Sequence, residues 1–312
     1  MYIPEHEVLA ALSYEALISA IRQALIDYSA GKVIQPPRSI LRAGNAEGHA
    51  NGWFAVMPVI AGDVMAVKTV TFYPANAELG IPTHMAVIEL LSRATGEPLA
   101  VMDGRLITEM RTAAVSAVAL DDLASPDVRS LGVVGSGVQA RSHLKALRLV
   151  RPSLADVRIC SRTPANAAAL AAETGARAVS IEEAAASDVV LVATTSPTPV
   201  LEGRWLKPDA LVIAVGAIGP HLRELDDEAM LSSCVIAESR SAVENESGDV
   251  RLSGARVHAE IGQVLSGEVQ APANARIVFK SVGMAIEDLT AARLVWKGRE
   301  QGDKGTREQG DK

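Results

Sequence analysis

The stretch Ser130-Leu131-Gly132-Val133-Val134-Gly135-Ser136-Gly137-Val138-Gln139-Ala140 decides the fold. A continuous apolar run, as in a strand buried on both faces, ends at Gly135, and helical spacing over 138–150 opens directly after Gly137. Gly135 permits the tight turn, Gly137 lets a bulky anion approach the backbone, and Ala140 lets the helix lie close to the strand. The unpaired amides of the first helical turn, from Ser136 through Val138 and Gln139, then suit a pyrophosphate. An ordinary strand-turn-helix could carry the same glycines for turn geometry alone, so the flanking sequence decides.

Apolar runs recur downstream at 157–160, 188–194, 210–215 and 234–238, with a shorter segment at 178–180, each followed by a turn and helical spacing. Their continuous apolarity predicts a parallel, doubly wound sheet of the Rossmann type, with a dinucleotide across its carboxyl edge. Thr194 and Gly216, at the ends of the fourth and fifth runs, are counted among the cofactor contacts. The second run ends in Cys160-Ser161-Arg162-Thr163, where an NAD enzyme would place an acid for the ribose hydroxyls. Ser161, Arg162 and Thr163 suit a 2′-phosphate instead, which predicts NADP(H) in preference to NAD(H), with Arg162 as a plain surface arginine the alternative.

The N-terminal part is of another kind. Helical spacing over 14–28 gives way to extended segments at 52–60, 63–72, 85–91 and 99–103, which alternate and are separated by Gly and Pro turns. An antiparallel sheet of α+β character follows from this pattern, then a helix over 107–123 lined with small residues, and a last helix over 284–296 that returns to the first domain. The expected division is 1–116 with 284–312 as a substrate-binding and dimerisation domain and 117–283 as the NAD(P)-binding domain. The last residues repeat Arg-Glu-Gln-Gly-Asp-Lys at 299–304 and 307–312, without apolar anchors, and are read as a solvated tail.

Bulk properties narrow the class. With 312 residues, 48% of them hydrophobic, the chain can bury the cores of two domains, and its net charge of −7 argues against nucleic acid or an anionic membrane as partner. Cys160 and Cys234 lie far apart with no ligand-spaced neighbours, so no disulfide framework and no metal site is expected. Glu5, His6 and Glu7 interrupt any leader-like run, and no apolar stretch has membrane-spanning length, which points to the cytoplasm.

Around the glycine turn, three stretches carry a resemblance. Val101-Met102-Asp103-Gly104-Arg105-Leu106-Ile107-Thr108-Glu109-Met110-Arg111-Thr112-Ala113-Ala114, Glu246-Ser247-Gly248-Asp249, and Phe279-Lys280-Ser281-Val282-Gly283-Met284-Ala285-Ile286-Glu287-Asp288 resemble the ornithine cyclodeaminase and mu-crystallin family, in order from about residue 35 to 295. The resemblance implies a homodimer whose first domain, a mixed sheet with helices, makes both the substrate pocket and the subunit contact. It also implies a small anionic imino or amino acid substrate whose carboxylate is bound by Arg38, Lys68 and Arg111, with Thr83, Thr112 and Ser281 touching cofactor or substrate. For those last three the alternative is local backbone capping.

The chemistry of these side chains agrees with the resemblance. Arginine clamps a carboxylate through parallel hydrogen bonds. Lys68 sits in an apolar strand, where desolvation and neighbouring cations favour its neutral form and suit it to proton transfer. The alternatives are a strand-end lysine snorkelling to water for Lys68, a capped packing surface for Arg111, and Arg42 in place of Arg38. His84 follows Pro82-Thr83 and either lines the site or is structural, while His221 has no support for a proton role. In cyclodeaminases and related alanine dehydrogenases the turn after the fifth strand carries an aspartate, but Val215-Gly216-Ala217-Ile218-Gly219-Pro220-His221 places Ile218 there, which suits the methylenes of a cyclic substrate. These readings converge on NAD(P)H-dependent reduction of 1-pyrroline-2-carboxylate or 1-piperideine-2-carboxylate. The alternatives are an ornithine cyclodeaminase or alanine-type dehydrogenase, and a non-catalytic NADPH and small-ligand binding protein like mu-crystallin.

Overall fold

The computed structural model describes residues 1–44 and 52–310. The chain divides into two compact units, Met1–Arg111 with Met284–Lys312, and Thr112–Gly283.

The first unit contains β1 (Tyr2–Ile3), α1 (Glu5–Ala11), α2 (Tyr14–Ser29), β2 (Ser39–Ala43), β3 (Gly52–Ala61), β4 (Val64–Phe72), β5 (His84–Ser92), β6 (Pro98–Asp103) and the start of α3 (Arg105–Leu123). Its sheet has the order β1-β6-β5-β4-β3-β2. All pairs are antiparallel except β1 with β6, so the sheet is mixed, as the resemblance implied, where alternation alone predicted an antiparallel one. Alternation decides which face is covered: Ala55, Met57, Val59, Val70, Ile88 and Leu90 are buried. Their face packs against the long helix 285–310, which also packs on α2. The buried residues of α2, Leu17, Ile21, Ala24 and Leu25, recur at helical spacing, and the Ser13 hydroxyl caps its start by accepting from the Ala16 amide at 3.3 Å.

The second unit contains β7 (Ser130–Val134), α4 (Val138–Val150), β8 (Asp156–Cys160), α5 (Pro164–Thr174), β9 (Arg177–Ala178), α6 (Ile181–Ala185), β10 (Val189–Val192), β11 (Leu211–Ala214), α7 (Asp227–Leu231), β12 (Cys234–Ala237), α8 (Arg240–Glu246), α9 (Gly248–Ser253), β13 (Val257–Glu260), α10 (Ile261–Leu265) and β14 (Ile277–Lys280). The strands form one parallel sheet in the order β13-β12-β14-β11-β10-β7-β8-β9. The order reverses between β7 and β10, so this is a doubly wound sheet with its switch point beside the glycine turn. β7, β10, β11 and β14 are buried along their whole length, the reason their sequences run apolar without alternation.

From Met284 the chain belongs to the first unit again, and α11 (Ala285–Gly310) runs well past residue 296, where the sequence predicted it to stop. The residues read as a solvated tail continue the helix through Gly310, because extending a formed helix costs far less than nucleating one. Residues 311–312, the end of the second copy of the repeat, lie outside the described residues. Among the described residues no single helix is long and apolar enough to cross a membrane.

Candidate functional site

Lys68 lies at the middle of β4, in register with Met57 on one side and Ile88 on the other, on the face that α11 covers. Only 3% of the residue is exposed, so the snorkelling alternative does not hold. An ammonium in such surroundings costs several kcal/mol unless a counter-charge is at hand. The first turn of α11 supplies it: Asp288 Oδ2 lies 2.6 Å from Lys68 Nζ. Asp288 also faces α3, where its Oδ1 accepts a hydrogen bond from Arg111 Nε at 3.2 Å, while Glu287 Oε2 accepts from Arg111 Nη1 at 2.6 Å. One carboxylate thus joins the two cations, and a second holds the guanidinium plane.

Burial pushes the Lys68 ammonium down, Asp288 pulls it back up and Arg111 pushes it down again, leaving it at about 8. Near neutral pH Lys68 can therefore both hold and release a proton. His84, at the first position of β5, is driven down to about 4 by burial and then by the Lys68 and Arg111 charges, so its imidazole is neutral. Arg38 is half-buried in the segment before β2, and its charge bears on Lys68, whereas Arg42 is exposed on β2. The neighbouring Gln35 accepts a hydrogen bond from the Ile286 amide at 2.8 Å, tying the Arg38 segment to the start of α11. Thr83 is half-buried just before β5, its carbonyl accepting from the Tyr73 amide at 2.8 Å. In the first unit, then, the structure brings together Lys68, Arg111 and His84 with Arg38 in electrostatic reach.

The second unit holds the dinucleotide turn. Gly135 has φ 129°, a backbone that side chains with a Cβ rarely adopt, and a Cβ there would lie 2.4 Å from the Ala193 carbonyl oxygen. Gly137 is the N-cap of α4 with no side-chain capping bond, and nothing lies within 4 Å of where its Cβ would be. An uncapped helix start facing open space fits a pyrophosphate. Ser136 Oγ donates to Ser161 Oγ at 2.9 Å, fixing the turn to the end of β8. Val138 is half exposed at the opening of α4, and the Gln139 carbonyl is hydrogen-bonded to His143 Nδ1 at 2.7 Å. Arg162 and Thr163 are exposed beside Ser161.

Thr194 and Gly216 follow β10 and β11, and Ser281 follows β14, its amide donating to the Ala214 carbonyl at 3.1 Å. Thr112 is buried on α3, with its carbonyl accepting from Ser116 Oγ at 3.2 Å. Ile218 is 43% exposed on the turn after β11, next to Ala217 with φ 51°, and His221 is exposed further along. Sequence reasoning did not single out Asp288 or Glu287, which complete the cationic cluster, nor Lys280, Glu224 and Asp249, a buried charged group of the second unit. A lysine inside an apolar run, the signal used for Lys68, also marks Lys280. Among the described residues no group of three or more His, Cys, Asp or Glu could hold a metal ion.

Residues 1–303 match the model of the ornithine cyclodeaminase/mu-crystallin family. The chain belongs to that family. The ketimine reductase mu-crystallin of Mus musculus is 41% identical over 293 residues, covering 91% of this chain and 92% of the relative. The Thermococcus litoralis Δ1-pyrroline-2-carboxylate reductase, solved with NADH and L-proline, superposes with a TM-score of 0.90 at 33% identity, covering 97% of this chain and 98% of that one. An archaeal alanine dehydrogenase dimer with bound NAD gives a TM-score of 0.91 at 28% identity, with 97% of each chain covered. These members share a fold but differ in reaction, so the chemistry must be argued from the side chains.

The link between Asp288 and Lys68 is testable without turnover. In Asp288→Asn only burial and positive neighbours act on Lys68, so its pKa should fall below about 8 in a lysine-selective NMR titration. Loss of the shared carboxylate should also lower stability by ~3–5 kcal/mol in denaturant unfolding. A Lys68 titration that stays put or moves up would exclude Asp288 as its controlling partner.

Proposed function

We propose that this family member uses NAD(P)H to reduce a small cyclic imino acid, 1-pyrroline-2-carboxylate or 1-piperideine-2-carboxylate, to the cyclic amino acid. The observation that carries the reading is Lys68: a buried lysine, paired with Asp288, whose ammonium loses its proton at about 8. Reduction of a C=N bond needs a hydride at carbon and a proton at nitrogen, and the dinucleotide supplies the hydride when bound. Lys68 supplies the proton from Nζ. Arg111, its plane held by Glu287 and Asp288, and Arg38 bind the substrate carboxylate. Neutral His84 offers a hydrogen bond without adding charge. The turn 215–221 has no carboxylate, and Ile218 offers apolar surface there, which favours a ring without a free cationic amine. The mu-crystallin and pyrroline-2-carboxylate reductase relatives support the same class of reaction.

For the cofactor we infer a preference for NADPH. Exposed Arg162 and Thr163 beside Ser161 suit a 2′-phosphate, and no acid stands among them to accept from the ribose hydroxyls. We also infer a homodimer through the sheet face turned away from α11. Leu41, Phe54, Thr71 and Met85 form one cross-strand row on it, and Val56, Thr69 and Val87 the next. Leu41, Met85 and Val87 are 61%, 43% and 42% exposed, an apolar patch that suits a second copy, and the alanine dehydrogenase relative is itself a dimer.

NADPH should be consumed with at least one of the two imines, and Lys68→Met should cut kcat by about 10²–10⁴-fold while nucleotide still binds. In the wild type kcat/KM should fall about tenfold per pH unit above about pH 8, as Lys68 loses its proton. Proline and ammonia released from ornithine with catalytic NAD would favour a cyclodeaminase instead. A protein that binds nucleotide and ligand, turns over neither imine and is indifferent to Lys68→Met would be a binding protein. Arg162→Ala should lower the NADPH-to-NADH preference about tenfold in initial-rate ratios, and an unchanged ratio removes Arg162 from cofactor recognition. In light scattering the wild type should have the mass of a dimer and Val87→Lys should lower it, since an ammonium would then face the apolar patch. A wild-type monomer would end the dimer reading.

A further inference from the structure

Close contacts run unbroken across the carboxyl ends of β7, β10, β11 and β14, four neighbours in the parallel sheet. Past β7, Gly135 is pressed against the carbonyl of Ala193, which follows β10. Past β11, a Cβ on Gly216 would lie 2.2 Å from the Thr194 carbonyl oxygen and 2.4 Å from Glu224 Oε1. The Gly216 carbonyl accepts a hydrogen bond from Lys280 Nζ, at the end of β14, at 2.6 Å.

Glu224 ties the same residues together. Its Oε1 accepts from the Thr194 amide at 2.6 Å and the Thr194 hydroxyl at 2.7 Å, and its Oε2 lies 3.9 Å from Lys280 Nζ. Asp249 closes the group, with Oδ2 2.9 Å from Lys280 Nζ and Oδ1 accepting from the amides of Glu224 and Leu225 at 2.7 and 3.0 Å. Glu224, Lys280 and Asp249 are all fully buried. Two carboxylates and one ammonium, all fully buried, make an expensive arrangement, and burial pushes Glu224 up to about 7. Apolar side chains of similar volume would be at least as stabilising here, so the group needs another reason to exist.

Its place in the sheet supplies one. In a doubly wound sheet each half serves one mononucleotide: the β7-β8-β9 half the adenylate, and the half that starts at β10 the nicotinamide. We propose that Glu224, Lys280 and Asp249 are positioning residues that lock the loops 193–196 and 215–219, and thereby set affinity for the nicotinamide half of the cofactor alone. The proposal rests on reading the second unit as a dinucleotide-binding domain. Glu224 fixes Thr194, Lys280 fixes Gly216, and the close approach of Gly216 to both forces the two loops to move together.

Removing Glu224 leaves Lys280 and Asp249 as a one-to-one pair, so Glu224→Ala should keep the fold, whereas Glu224→Gln also keeps the acceptor for Thr194. Dissociation constants for NADPH and NADH are measured by fluorescence, and those for 2′,5′-ADP and 5′-AMP, which lack the nicotinamide half, by competition. Glu224→Ala should weaken both dinucleotides about tenfold and leave both half-molecules unchanged, and Glu224→Gln should recover affinity to within about threefold of wild type. Gly216→Ala, which displaces the same loops by its added methyl, should repeat the pattern even if Glu224→Ala fails to fold. Equal loss for dinucleotides and half-molecules, or no loss in any variant, overturns the proposal while leaving the dinucleotide reading intact. Wild-type protein that binds none of the four ligands overturns both.

Discussion

The first unit is organised around one buried charge. Lys68 stands in the middle of an apolar strand on the covered face of a sheet, where a lone ammonium is not tolerated. The strand can hold it there because α11, more than two hundred residues later in the chain, begins with Glu287 and Asp288 on that same face. That requirement explains why the last helix belongs to the first unit and not to the domain that precedes it in sequence. It also explains why Arg111 is buried: Asp288 has a second oxygen to offer, and Glu287 meets the other side of the guanidinium. The result is a cluster whose charges are balanced enough to be buried and loose enough for one member to exchange a proton near neutrality.

Much of this was legible in the sequence because the relevant physics is local. Strands buried on both faces must be apolar without interruption, and β7, β10, β11 and β12 were visible for that reason. The covered strands β3 to β5 alternate, and a lysine within them announced itself as an anomaly. What was not legible depends on partners far away in sequence. Glu287 and Asp288 in the first turn of a helix look like ordinary companions of the helix dipole, and nothing local says that they face Lys68. β14 offers only three apolar residues, Ile277, Val278 and Phe279, between Arg276 and Lys280, a shorter run than those that marked its neighbours, and so Lys280 was quoted within a motif without being seen as a second buried lysine. β2 is exposed along most of its length, so it lacks the alternation by which strands are read. Helix α11 outran its expected end because periodicity reports packing, and its final turns need none to continue.

The two buried lysines show how the same side chain serves opposite ends. Lys280 has Asp249 at 2.9 Å, the Gly216 carbonyl at 2.6 Å and Glu224 within 3.9 Å, so its donors are aimed at fixed backbone and side-chain acceptors. Such a group holds two loops at once, because Glu224 grips Thr194 while Lys280 grips Gly216. Lys68 shares the carboxylate of Asp288 with Arg111, and the charges of Arg111 and Arg38 both disfavour its ammonium. Its protonated and neutral forms are therefore nearly matched in energy, which is what proton transfer demands and what structural rigidity would forbid. Neither arrangement is explained by stability alone, since a buried ion pair seldom outperforms well-packed apolar side chains. On the proposed readings one holds a backbone still and the other lets a proton move, so a fold that supports several reactions can vary the second without disturbing the first.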